Sequence, residues 1–102
     1  MVARAQLKAR PDVRAKIARV LRLKHREHFG SEAQVRVEDR GYKNYLNLEV
    51  VSPGFRSLDL LERTRLVWKW LRDGLSPSEH NRIVSLGALT PAEARERWGD
   101  GR

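Results

Sequence analysis

The apolar spacing of this chain changes period twice, from helical to alternating and back, and that constrains the fold more than any other feature. Val13, Ile17, Val20 and Leu21 recur three or four apart, extended by Lys24 and His28, which predicts a helix over about 12–29 with one apolar stripe. Asp12 is its expected N-cap and Gly30 its left-handed stop. Ala33, Val35 and Val37 then alternate with Gln34, Arg36 and Glu38, and Leu46, Leu48 and Val50 alternate again within 45–51. Two half-buried strands joined by the turn-rich loop 39–44 form a hairpin. Ser52-Pro53-Gly54 ends it.

Helical spacing returns from Leu58 to Leu71, with Leu60, Leu61, Thr64, Val67, Trp68 and Leu71 as the expected buried stripe, Ser57 as N-cap and Gly74 as stop. Ser76-Pro77-Ser78-Glu79 is a capping box with proline at the first helical position, so one short turn follows. Residues 83–89 give a third strand. Thr90-Pro91-Ala92-Glu93 repeats the cap and opens a last helix toward Trp98.

The order α-β-β-α-α-β-α predicts an α+β fold in two layers, a three-stranded mixed sheet with helices on one face. A chain of 102 residues suits one core. It divides into a basic arm (1–11), a single domain (12–98) and a short flexible tail (99–102). The most buried side chains should include Leu46, Leu48, Val50, Val67, Leu71 and Leu86.

Charge is unevenly placed. Of the 21 Lys and Arg behind the net charge of +8, Arg4, Lys8, Arg10, Arg14, Lys16, Arg19, Arg22, Lys24 and Arg26 fall in residues 1–30 against only Asp12 and Glu27. The rest of the chain is close to neutral. Such a concentration attracts polyanions by releasing their counterions; a solvated helix face that favours solubility is the plainer reading. Arg14, Arg22 and Arg26, off the apolar stripe, are the expected nucleic-acid contacts, with Arg40 and Lys43 of the hairpin loop beside them.

The absence of cysteine excludes disulfides, thiolate metal sites and cysteine nucleophiles, and makes the cytoplasm the expected location. The Arg-rich start is weaker as an organelle-targeting peptide because it runs into a structural helix. His25 and His28 share a helix face without a third ligand and are expected on the surface. No Ser/His/Asp arrangement or phosphate-cradling glycine loop is evident, and Glu62, Glu79 and Glu93 occupy solvent or capping positions, so no enzyme is expected. The Gly-x-x-Gly clamp of KH domains is missing as well. Tyr42 and Trp70 are the candidates for stacking on bases. Trp68 falls on the buried stripe, whereas Trp70, near Leu66 and Lys69, is expected to be partly exposed, either as a protein contact or packed against Trp98 of the last helix.

Several stretches resemble BolA-like proteins. Val50-Val51-Ser52 and Phe55, then Leu61, Arg63, Arg65, Val67 and Leu71, are similar to the family's strand ending in Val-Ser, its nearby Phe and its Arg-His-Arg helix. Asn81-Arg82-Ile83-Val84-Ser85-Leu86 and Thr90-Pro91-Ala92-Glu93 resemble its last strand and Thr-Pro-x-Glu helix start. The resemblance covers about residues 12–98 and implies a class II KH-like fold with the element order read above. It also implies a regulator or adaptor linked to DNA, transcription and stress response, or a partner of a monothiol glutaredoxin in iron–sulfur cluster or iron homeostasis. Arg63, Arg65 and Arg82 are the partner-binding residues to expect from it, with Trp70 added on its place off the buried stripe.

Two departures bear on the cluster. The family's near-invariant histidine, the implied ligand of a shared [2Fe-2S] cluster, is absent. Counting back from Thr90-Pro91 puts Arg82 near its place, and arginine stays protonated. His80, two residues early, is the nearest substitute metal ligand. Thr64 stands where the family has the histidine of Arg-His-Arg, and the hairpin loop lacks a second His or Cys. DNA is therefore the expected partner, and a shared [2Fe-2S] cluster is disfavoured.

Overall fold

The structure is a computed structural model in which residues 12–39, 41 and 45–98 are described. The arm 1–11, the tail 99–102 and the loop residues Arg40, Tyr42, Lys43 and Asn44 lie outside them.

Helix α1 spans Val13–Phe29. Asp12, in extended backbone, accepts a hydrogen bond from the Arg14 amide at 3.0 Å and so caps the helix. At the other end Gly30 takes φ 74°, a left-handed stop that costs a side-chain-free residue least. Strands β1 (Gln34–Asp39) and β2 (Leu46–Val51) pair antiparallel, and β2 pairs parallel with β3 (Ile83–Leu89), giving a mixed sheet in the order β1-β2-β3. A 3-10 turn, Pro53–Ser57, leads from the sheet toward α2, Leu60–Gly74. The short α3 (Pro77–His80) and the last helix α4 (Pro91–Trp98) flank β3. Element order and sheet agree with the sequence reading.

The core lies between the sheet and the α1/α2 layer. Ile17 and Leu21 from α1, Leu46, Leu48 and Val50 from β2, Phe55, and Val67 and Leu71 from α2 are all buried in it. Five of the six residues expected to be most buried are so; Leu86 is only half-buried. β3 is an edge strand, so Leu86 has a sheet neighbour on one side only, Leu48 in the register of β2 and β3.

Helix α2 departs from expectation at both ends. Its N-cap is Asp59 rather than Ser57, in a reciprocal capping box with Glu62. Leu60 and Leu61 therefore fall in the first turn and are exposed, at 64% and 57%, instead of buried. Gly74 is the last helical residue rather than a stop beyond it. A Cβ there would come within 2.5 Å of Val20 Cγ1, so the glycine is required where α1 and α2 approach each other. The other two caps are as expected: Ser76 with Glu79, and Thr90 with Glu93.

Candidate functional site

The outward face of α1 carries the main concentration of cations. Arg19, Arg22 and Arg26, spaced three and four apart, are exposed and line a shallow groove with Leu23 and Glu32. Arg26 is paired with Glu32, while Arg19 and Arg22 face solvent with no carboxylate partner among the described residues. Arg14 does not belong to this ridge. It sits in the first turn, where Asp12 holds its guanidinium at 3.4 Å. The hydrogen bonds from Arg14, backbone first and side chain second, also lower the Asp12 pKa. The arginines that share this exposed face are therefore Arg19, Arg22 and Arg26. The 19–22–26 spacing is visible in the sequence. Arg14 is off the apolar stripe too, but the polar side of a helix is wide enough to hold residues that never meet. Arg40 and Lys43 fall outside the described residues.

Of the two lysines of α1, Lys16 and Lys24, the first is held in an ion pair. Lys16 reaches Glu79 of α3 at 2.9 and 3.0 Å. The Ser76 amide, then Lys16, hold the Glu79 carboxyl below its usual range.

The open face of the sheet is a poor place for a polyanion. Its groove, about 260 Å³, sets Arg36 and Arg97 against Glu38 and Glu49. The Arg97–Glu49 contact is 3.0 Å and Arg36–Glu38 is 3.4 Å, so the charges cancel locally.

The expected partner-binding residues divide sharply by exposure. Arg65 is exposed and Arg82 half-buried. Arg63 is buried, 7% exposed, and its guanidinium ties three elements together. It donates to the Ala88 carbonyl at 3.2 Å, the Leu58 carbonyl at 3.2 Å and Glu93 at 2.7 Å, with its Nε left unpaired. This guanidinium fastens α2 to β3 and α4 and offers no surface to a partner. Glu93 is held below the usual carboxylate range first by the Thr90 amide and then by Arg63.

The two tryptophans of α2 are exchanged relative to expectation. Trp70 is buried, packed edge-on against His25, His28 and Phe29. Trp68 is the half-exposed one, with the His80 ring against it at a centroid distance of 5.2 Å. Two positions apart on a helix are about 200° apart, so only one of the pair can face the core. His80 is correspondingly half-buried, and its Nε2 is enclosed without a hydrogen-bond partner.

His25 is a further correction. It is fully buried, whereas the sequence suggested a surface histidine; His28 is exposed as expected. The Ser31 carbonyl lies 2.7 Å from Nδ1 and can only accept, so Nδ1 carries the proton. Nε2 is then the acceptor for the Ser52 hydroxyl at 2.6 Å, and Ser52 in turn accepts from the Gly54 amide at 3.0 Å. This is a serine–histidine pair that sequence reading missed, because its members lie 27 residues apart. It does not make a nucleophile: both side chains are fully buried, and a carbonyl rather than a carboxylate orients the ring. No group of three His, Cys, Asp or Glu side chains that could hold a metal ion occurs among the described residues.

These elements define a two-layer α+β domain with a mixed β1-β2-β3 sheet. No family model matches the sequence, and no curated protein matches it either. Among solved structures, the chain is similar to BolA1 from Arabidopsis thaliana at 28% identity and a TM-score of 0.51, over 76% of this chain and 94% of that one. It is also similar to a bol-like protein from Babesia bovis at 23% identity and a TM-score of 0.45, over 78% and 91% of the two chains. The fold is BolA-like.

Proposed function

We propose that this chain is a non-enzymatic BolA-like regulator or adaptor that binds a polyanion, DNA foremost, along the outward face of α1. The observation that carries this reading is the ridge of Arg19, Arg22 and Arg26, where a single carboxylate, Glu32, opposes three guanidinium groups. Exposed arginines on one helix face contact phosphates without reading base edges, so binding is weak in sequence preference and steep in salt dependence. A transcriptional or stress-response role fits such binding, and so does the cytoplasm. No helix among the described residues is long and apolar enough to cross a membrane.

A titration of a labelled duplex at several salt concentrations tests the proposal. Changing Arg19, Arg22 and Arg26 to Gln should flatten the slope of log K against log salt by about 0.9 for each phosphate no longer neutralised, about 1.8 from Arg19 and Arg22 with little added by Arg26, which Glu32 already holds. Arg14→Gln should leave the slope close to the native value, since Asp12 already holds that side chain. Absence of measurable affinity at about 50 mM salt, where counterion release is strongly favourable, would refute the proposal and leave the charge as a solubility feature.

The second reading is partnership with a monothiol glutaredoxin, which the BolA-like fold favours. The donor set does not fit a shared [2Fe-2S] cluster. Arg82 cannot ligate iron, and His80 Nε2 is enclosed by protein beside Trp68. Co-purification with glutaredoxin should therefore yield no more iron than glutaredoxin alone. A cluster absorbance band that requires this chain and disappears in His80→Ala would reverse that conclusion.

A further inference from the structure

We infer that the outward face of α2 is a docking surface for an acidic amphipathic helix of a partner protein. Leu61, Arg65, Trp68 and Arg72 follow one another at spacings of four, three and four, and so form a single stripe along the helix. It lies opposite the buried residues Arg63, Val67, Trp70 and Leu71. Leu61 is 57% exposed and Leu60 beside it 64%, an uncommon pair of large apolar side chains to leave in water at one helix end. Trp68 is half-buried, and Arg65 and Arg72 are exposed with no ion pair among the described residues.

Beyond Arg72 the stripe runs into a groove of about 390 Å³ that Arg72, Leu75, Pro77 and His80 line. His80 joins the two, because its ring also packs on Trp68. From Leu61 to Arg72 the stripe thus alternates apolar and cationic groups along roughly 16 Å of helix.

That pattern specifies the occupant. Carboxylates on a partner helix would meet Arg65 and Arg72, and its apolar residues would cover Leu61 and the open side of Trp68, with one large apolar side chain entering the groove. A nucleic acid fits less well. It would leave Leu60 and Leu61 uncovered, and His80 already occupies one side of the Trp68 ring. The stripe is on a different helix from the α1 ridge and does not depend on polyanion binding there.

The experiment is a display selection of randomised amphipathic 16-residue helical peptides against the full chain, with counter-selection against the Arg65→Glu/Arg72→Glu variant. These side chains and Leu61 are exposed, so the variants should unfold at the native temperature, which circular dichroism verifies. Enriched peptides should carry Glu or Asp flanking apolar residues three or four apart. They should lose at least tenfold in affinity to the double variant and to Leu61→Ser, and should shift the Trp68 indole resonance. Enrichment of basic or uncharged peptides, or failure to enrich any clone that discriminates the variants, would overturn the inference. So would sedimentation showing that the stripe pairs with a second copy of the chain, or a single-stranded oligonucleotide that binds the native stripe and not the double variant. The α1 titration reads the polyanion proposal separately, because the stripe variant should retain most of its salt slope.

Discussion

Replacing Leu48 with alanine is expected to destabilise the protein by about 2–5 kcal/mol, the range for emptying a well-packed leucine site. Leu48 is 1% exposed and sits on the central strand, opposite Val37 on one side and Leu86 on the other. Helices α1 and α2 close over the same core, so little can collapse into the space a leucine leaves. Against a typical folding stability of about 5–15 kcal/mol, such a loss is a large fraction. Leu86→Ala on the edge strand should cost clearly less, because that side chain is only half-buried. Urea unfolding of both variants checks this: the midpoint should fall with an unchanged slope, and further for Leu48. A Leu48 variant as stable as the native chain, or an order of effects reversed between the two positions, would mean that the alternation of β2 has been assigned to the wrong face.

The parts of the structure legible in the sequence are those fixed by local chemistry. Strand phase follows from strict alternation through Leu46, Leu48 and Val50, and the caps at Asp12, Ser76 and Thr90 from side chains that reach amides two or three residues on. The rotation of α2 is not legible, and the reason is specific. Trp68 and Trp70 both have apolar neighbours three or four residues away, so periodicity alone admits either as the core residue. What decides is Arg63, which is buried because the Leu58 and Ala88 carbonyls and Glu93 satisfy it. A charged residue on the core side is the opposite of what binary patterning assumes. Once Arg63 is placed inward, Trp70 follows it and Leu61 and Trp68 turn outward. The BolA-like fold is readable from motifs in order along the chain, whereas the cationic ridge needs the helix phase to replace Arg14 with Arg19. His25 is hidden for a different reason: its partners, Ser31 and Ser52, come from the loop after α1 and the end of β2.

His25→Ala should be among the most damaging single substitutions, at about 3–5 kcal/mol by analogy with the truncation of buried rings. The ring is fully buried against Phe29, Phe55 and Trp70. Its removal opens a cavity and also leaves the fully buried Ser52 hydroxyl without its acceptor, a polar group that is expensive to strand. The same site makes stability depend on pH. Burial lowers the His25 pKa from its ordinary 6.5, the Ser31 hydrogen bond works against that shift, and the charge of His28 adds to it. The unfolded chain therefore binds a proton at this residue more readily than the folded one. The contribution is fully present above pH 6.5 and declines as the pH falls below it, by at most about 1.4 kcal/mol per pH unit until the folded ring itself is protonated. Protonation would put a hydrogen on Nε2, which would then donate to the Ser52 oxygen, and the Ser52 hydroxyl hydrogen would lose its present acceptor. His25→Gln separates the two effects, since glutamine offers a donor and an acceptor but does not titrate. Denaturant midpoints at pH 7.5 and 5.5 should fall between the two for the native protein and much less for His25→Gln. An equal fall in both would place the acid sensitivity at another residue.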